Sequence, residues 1–291
     1  MKRKLFGASR LLENDFFLLF SVYTVSFVLC FFLAWIKARN GALADAYLFA
    51  IPLIAMYLPF LFFSYSEEGR KISVGLQAVK QGCGVDVLLL GISALAFGTG
   101  GSLLYQSLSL PLLWHGMAIA KEFSVLSLVA VVAFGSFCEE LLVRGAIQGH
   151  LTSLGTIRAV ALSAFFSAAL CFSVSSFPFF LILGGLCAFV RQRVGSVWGA
   201  FVASFAARLG FYLSHCGVWK GAVERIGGTL LSLLFLALAL GSFCSVFFLK
   251  HRKQSVSQET FVGRKGSAAL WLLALLFVGL SVGASFLIPT L

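Results

Sequence analysis

Apolar runs of about 20 residues, with few charges in them, recur along the whole of this 291-residue chain, and they leave few folds open to it. A run of that length is what an α-helix needs to cross a ~30 Å hydrocarbon core. The runs fall near residues 16–36, 44–65, 87–110, 123–144, 157–175, 177–190, 197–215, 226–249 and 268–289. The composition agrees: 60% of residues are hydrophobic and 11% charged, with a mean hydropathy of +0.99. Soluble domains have roughly 45–50% apolar and about 25% charged residues. The expected fold is all-α, a polytopic membrane helix bundle of eight or nine transmembrane helices; eight apply if 157–175 and 177–190 do not cross separately. The first run is too long for a signal-peptide core and lacks a small-residue cleavage site, so it reads as a retained span. Pro52 and Pro59 are expected to bend the second. The Gly98-Thr99-Gly100-Gly101 stretch of the third allows close helix approach or a local break. A polar stretch, 66–86, has room for a short surface helix. There is no repeat of 20–50 residues and no linker, so residues 1–291 read as one transmembrane domain.

A net charge of +11 raises the question of nucleic acid, but the basic residues sit in short loops between apolar runs. Membrane topology explains them better. With a cytoplasmic N-terminus, fifteen lysines and arginines fall inside, in the groups around Lys2–Arg10, Arg70–Lys80, Arg158, Arg191–Arg193 and Lys250–Lys265. Five fall outside: Lys37, Arg39, Lys121, Lys220 and Arg225. The asymmetry follows the positive-inside rule for nine spans. An integral protein of the cell (inner) membrane, with lipid as its surroundings and no nucleic-acid partner, is the resulting expectation. The seven cysteines form no CxxC pair and lie mostly in apolar runs, as small buried residues do.

The chemistry concentrates in Phe137-Cys138-Glu139-Glu140-Leu141-Leu142-Val143-Arg144. Of the 11 acidic residues, only Asp45, at the edge of the second run, and these two fall inside an expected span. Ionisable groups in lipid cost about 2.5–3.5 kcal/mol each on insertion scales, so they mark a function or a paired cluster. Glu140 and Arg144, spaced i, i+4, can pair along one helix face, while Glu139 points about 100° away toward another helix. A carboxylate activating water and an interfacial pair tying the bundle together fit the fragment equally well.

Glu139-Glu140-x-x-x-Arg144, followed by Gly145 and Gln148-Gly149, closely resembles the first motif of the CAAX prenyl protease and bacteriocin-processing family, also called CPBP or ABI. Gly195-Ser196-Val197-Trp198-Gly199-Ala200, preceded by Arg191 and Arg193, resembles the lead into that family's last motif. The family-like core is about 123–215. The resemblance implies an intramembrane endopeptidase, a type II CAAX endopeptidase-like protein acting on a membrane-tethered or prenylated protein or peptide. Glu140 would be the general base, with Glu139 and Arg144 in support. It further implies a histidine four residues after a phenylalanine on a second helix, a histidine and an asparagine four apart on a third, and a possible metal.

Here the chain departs from the pattern. Four residues on from Phe165 and Phe166 stand Ala169 and Leu170, and Ser204 and Arg208 occupy the positions of the third-motif histidine and asparagine. His150 and His215 should lie near the membrane surface, His115 and His251 in loops. No metal ligand set is found, since zinc needs three or four converging N, S or O donors. Ser204 has no base to make it a nucleophile, and a cysteine chemistry at Cys171 is weaker still. An arginine inside a span must find an anion, and Glu139 and Glu140 are the candidates for Arg208. A guanidinium that occupies a carboxylate's lone pairs leaves a poor general base. The site is therefore expected to be a catalytically impaired, buried Glu–Arg cluster. Two alternatives stand beside the endopeptidase: a non-catalytic membrane scaffold or relative binding a hydrophobic peptide or lipid, and a small-solute transporter. The last lacks the inverted repeats and paired broken helices usual for its class.

Overall fold

A computed structural model describes residues 2–39, 44–65, 76–80, 82–111, 124–248 and 267–287. Ten helices follow in chain order: α1 (Lys2–Arg39), α2 (44–65), α3 (Gly84–Ser107), α4 (Val125–Leu151), α5 (Thr156–Ala169), α6 (Phe177–Val194), α7 (Val197–His215), α8 (Lys220–Ile226), α9 (Gly228–Phe248) and α10 (Ser267–Leu287). Among the described residues there is no strand. Among the described residues, eight helices are long and apolar enough to cross a membrane, all but α5 and α8. The expected surface helix in 66–86 falls largely on 66–75, and His115 and His251 also lie outside the described residues.

The ends of the helices follow local chemistry. Ser124 caps α4 by accepting from the Ser127 amide, and Ser196 caps α7 by accepting from the Trp198 amide. Pro178 sits in the first turn of α6, where its missing N–H costs nothing. Gly195 ends that helix in the left-handed region, at φ 72°, with its N–H donated to the Arg191 carbonyl.

The fifth expected span is differently built. α5 has 14 residues, about 21 Å of helix, and stops at Ala169. Residues 170–176 continue as turns and irregular chain, and Phe172 has a φ of 48°. Ser175 then accepts from the Tyr105 hydroxyl and donates to the Pro111 carbonyl. α5 starts at the opposite end, just after α4 finishes, so 156–175 traverse the bundle as helix plus turn. The sixth span, expected to end near 190, runs on to Val194. The eighth does not begin at 226; Gly227, at φ 89°, separates α8 from α9.

Two hydrophobic clusters meet at the middle of the molecule. One gathers α1, α2, α4, α5 and α10 around the Tyr23, Phe27, Phe166 and Phe277 rings. The other gathers α3, α6, α7 and α9. α3 is unbroken, so its glycines serve close approach. A Cβ at Gly98 would lie 1.9 Å from the Ala207 carbonyl oxygen of α7, and one at Gly210 of α7 would lie 2.4 Å from the Leu95 carbonyl oxygen. These two backbones touch directly, the small-residue packing that substitutes for a hydrophobic driving force in lipid.

α2 and α4 contain widened, π-helical turns: Ile51–Tyr57, Leu128–Phe134 and Leu141–Ile147. The first includes Pro52, which has no N–H to give to the helical ladder. The other two flank Gly135–Glu140, and such turns recur at functional sites.

Candidate functional site

α4 continues to Leu151, so Glu139 and Glu140 lie near its middle, about 17–23 Å from either end. The charged residues therefore do not sit at a span's edge, where the sequence places them. Glu139 is 5% exposed, and Glu140, Arg144 and Arg208 are 1% exposed. Buried charges persist only when paired and hydrogen-bonded, and each of these four has a partner.

Glu139 faces α7 and α5. Its Oε2 is ion-paired to Arg208 Nη2, and its Oε1 accepts from the Ser167 hydroxyl at 2.8 Å. Arg208 Nη1 donates to the Val131 carbonyl at 3.1 Å. Val131 lies in the first widened turn of α4, where an i→i+5 pattern replaces the i→i+4 ladder and carbonyls become accessible to side chains. The neighbouring Val132 carbonyl accepts from the Ser136 hydroxyl at 2.5 Å. Space for the guanidinium comes from Gly135, at which a Cβ would stand 2.8 Å from Arg208 Nη1.

Glu140 faces its own helix and α7. Its Oε2 lies 3.3 Å from Arg144 Nε, the i, i+4 pair expected from spacing, without the alignment of a hydrogen bond. The Ser204 hydroxyl hydrogen-bonds to the same carboxylate. Arg144 then reaches α5 and α6: Nη1 donates to the Ser163 hydroxyl at 2.7 Å and to the Ser163 carbonyl at 3.2 Å, and Nη2 to the Gly184 carbonyl at 2.9 Å. One turn further, Gln148 Nε2 donates to the Ala188 carbonyl at 2.9 Å. α5 and α6 meet closely there, since a Cβ at Gly184 would be 3.2 Å from the Ala164 backbone.

Four helices thus converge on two ion pairs. All five sequence-predicted residues, Glu139, Glu140, Arg144, Ser204 and Arg208, are brought together. Ser163, Ser167, Val131, Gly135 and Gly184 were not foreseen. The first two carry a readable signal, serines spaced i, i+4 in an apolar helix, one for each ion pair. Counting from Phe165 and Phe166 led instead to Ala169 and Leu170, which lie buried in the apolar cluster. Cys171 donates its thiol to the Ser173 carbonyl at 3.3 Å, and all seven cysteines are free thiols.

The donor set does not suit a metal ion. Among the described residues no three His, Cys, Asp or Glu side chains come together. Glu139 spends its two oxygens on Arg208 and Ser167, and a guanidinium stands where a cation would be held.

Residues 121–210 match the family described as type II CAAX prenyl endopeptidase Rce1-like. The matched segment contains the whole cluster, on α4, α5, α6 and most of α7, and covers under a third of the chain. No curated protein and no solved structure matches.

Proposed function

From a segment that is Rce1-like over residues 121–210, we propose that this chain is a CAAX protease-like membrane protein whose cluster holds the bundle together instead of hydrolysing peptides. One observation carries the reading: Arg208 ion-pairs Glu139 from the position where the family resemblance implies an asparagine. A peptide hydrolase of this kind needs a carboxylate free to take a proton from water. Glu139 is committed to a guanidinium and a hydroxyl, and Ser204 supplies no base beside Glu140. A fold retained with its site closed suits a scaffold that binds a prenylated or otherwise hydrophobic segment.

A second reading rests on Glu140. Its bond to Arg144 is long and poorly aligned, so it is the less constrained carboxylate and the one that would activate water. The purified protein, presented with a farnesylated C-terminal CAAX peptide in lipid nanodiscs, separates the two. The scaffold reading expects binding without cleavage, unchanged in Glu140→Gln. Cleavage by the wild type that Glu140→Gln abolishes overturns it in favour of the endopeptidase.

The cell membrane and a cytoplasmic N-terminus belong to the same proposal. Lys80, Arg158, Arg191 and Arg193 share one end of the bundle, which supports that end as the cytoplasmic one.

A further inference from the structure

A groove of about 310 Å³ opens between α3, α6 and α9, away from the Glu–Arg cluster. Phe97, Ile182, Leu186, Phe189, Leu240 and Phe243 form most of its wall. Its one hydroxyl, Ser93, is already given to the Ala239 carbonyl at 2.7 Å. Ile182 and Leu240 are more than half exposed, so the groove faces sideways, toward lipid. A peptide would bring N–H and C=O groups for which the walls have no partners, at several kcal/mol each in hydrocarbon. A hydrocarbon chain brings none.

One end of the groove carries charge. Arg193, one turn beyond Phe189 on α6, donates Nε to Asp86 of α3 at 2.9 Å and Nη2 to the Val246 carbonyl of α9 at 3.3 Å. A single guanidinium therefore bridges the three helices that make the groove. It uses two of its five N–H donors there, and Nη1 remains for a ligand. The Lys80 ammonium lies beside Gly195, since a Cβ at Gly195 would be 3.0 Å from Nζ. A second cation thus stands at the same end of α6 as Arg193. In sequence, α9 runs directly into Lys250-His251-Arg252-Lys253.

Ile182 to Arg193 is eleven residues, about 16 Å of helix. Half of a ~30 Å hydrocarbon core is about 15 Å. The α6 part of the groove wall, Ile182 to Phe189, is centred on the middle of that helix, and Arg193 lies in its last turn, at headgroup depth. We propose that it binds one anionic phospholipid, with an acyl chain along α6 and the phosphate at Arg193 and Lys80. The site stands whether or not the Glu–Arg cluster hydrolyses anything.

Native mass spectrometry of the full chain, loaded from equimolar phosphatidylglycerol and phosphatidylcholine, tests it. The wild type is expected to retain one lipid, with phosphatidylglycerol favoured about fivefold for each effective surface cation. Asp86→Asn/Arg193→Gln, which removes the pair without stranding a charge, should lower the preference to the part that Lys80 supplies, about fivefold. Lys80→Gln, at an exposed residue, should reduce it in part even if the double variant does not fold. Gly185→Leu should displace both lipids; a Cβ there meets only Ala164 Cβ, at 3.9 Å, so a side chain can project into the groove. Equal retention of the two lipids by the wild type, or a preference that neither charge variant lowers, overturns the proposal. So does full lipid retention by Gly185→Leu.

Discussion

Arg208 of α7 and Glu139 of α4, 69 residues apart in sequence, form an ion pair in which both side chains are at least nine-tenths buried. α4 and α7 are thereby tied at mid-membrane depth, and neither charge tolerates the loss of the other. Arg208→Ala should cost about 3–5 kcal/mol, the usual effect of leaving a buried charge unpaired. Arg208→Ala/Glu139→Gln should recover part of that loss, because no isolated charge remains. Thermal unfolding in detergent, followed by helicity, reads both. A single variant as stable as the wild type would show that the pair does not hold the helices.

Gly135 should behave as a partner of Arg208. A Cβ there meets Arg208 Nη1 at 2.8 Å and the Ala130 carbonyl at 3.1 Å, and the guanidinium is held by two further groups. Gly135→Ala is expected to destabilise by about 1–3 kcal/mol, the range for overpacking. The cost should shrink in an Arg208→Ala background, giving a coupling energy in a double-mutant cycle. Additive effects would separate the glycine from the arginine.

The sequence made much of this cluster readable and hid the rest for a physical reason. Charge is conspicuous in an apolar run, so Glu139, Glu140, Arg144 and Arg208 stand out, and i, i+4 spacing pairs Glu140 with Arg144 correctly. For Arg208 the sequence leaves two candidates, because an arginine in a span needs an anion and both glutamates are at hand; the choice of Glu139 comes from the structure. Carbonyl acceptors leave no such mark. Nothing in the letters of Val131 or Gly184 tells that their oxygens hold guanidinium groups. The fifth crossing was legible as an apolar run of the right length, but its division into 14 helical residues and a turn depends on Phe172 adopting a positive φ, which sequence does not announce for a phenylalanine.

Gly98→Ala should prevent normal assembly, because the new Cβ would overlap backbone of α7 that has nowhere to move. Gly221→Ala, in α8, adds its Cβ to open space and should be silent. The yield of monodisperse protein on size-exclusion chromatography compares the two. Equal yields would mean that α3 and α7 are not in backbone contact.

If 156–175 cross together with the eight longer helices, nine crossings put the two ends of the chain on opposite faces of the membrane, and the proposed cytoplasmic N-terminus puts the C-terminus outside. A reporter active only in the cytoplasm should be active when fused before Met1 and inactive after Leu291. Activity at both ends would mean that 156–175 do not cross.

The widened turns around Gly135–Glu140 make the geometry of the carboxylates a matter of counting. A π turn accommodates one residue more than an α turn of the same helix. Deleting one residue from Leu128–Phe134 would let that stretch relax to an α-helix with its flanks in register, closing the widened turn in which the Val131 carbonyl accepts from Arg208. Every side chain could then be unchanged while Val131 and Glu139 no longer met the same arginine. Ancestry and engineering in this helix must respect its length as well as its letters, and a one-residue gap here would alter the chemistry of the site as surely as a substitution.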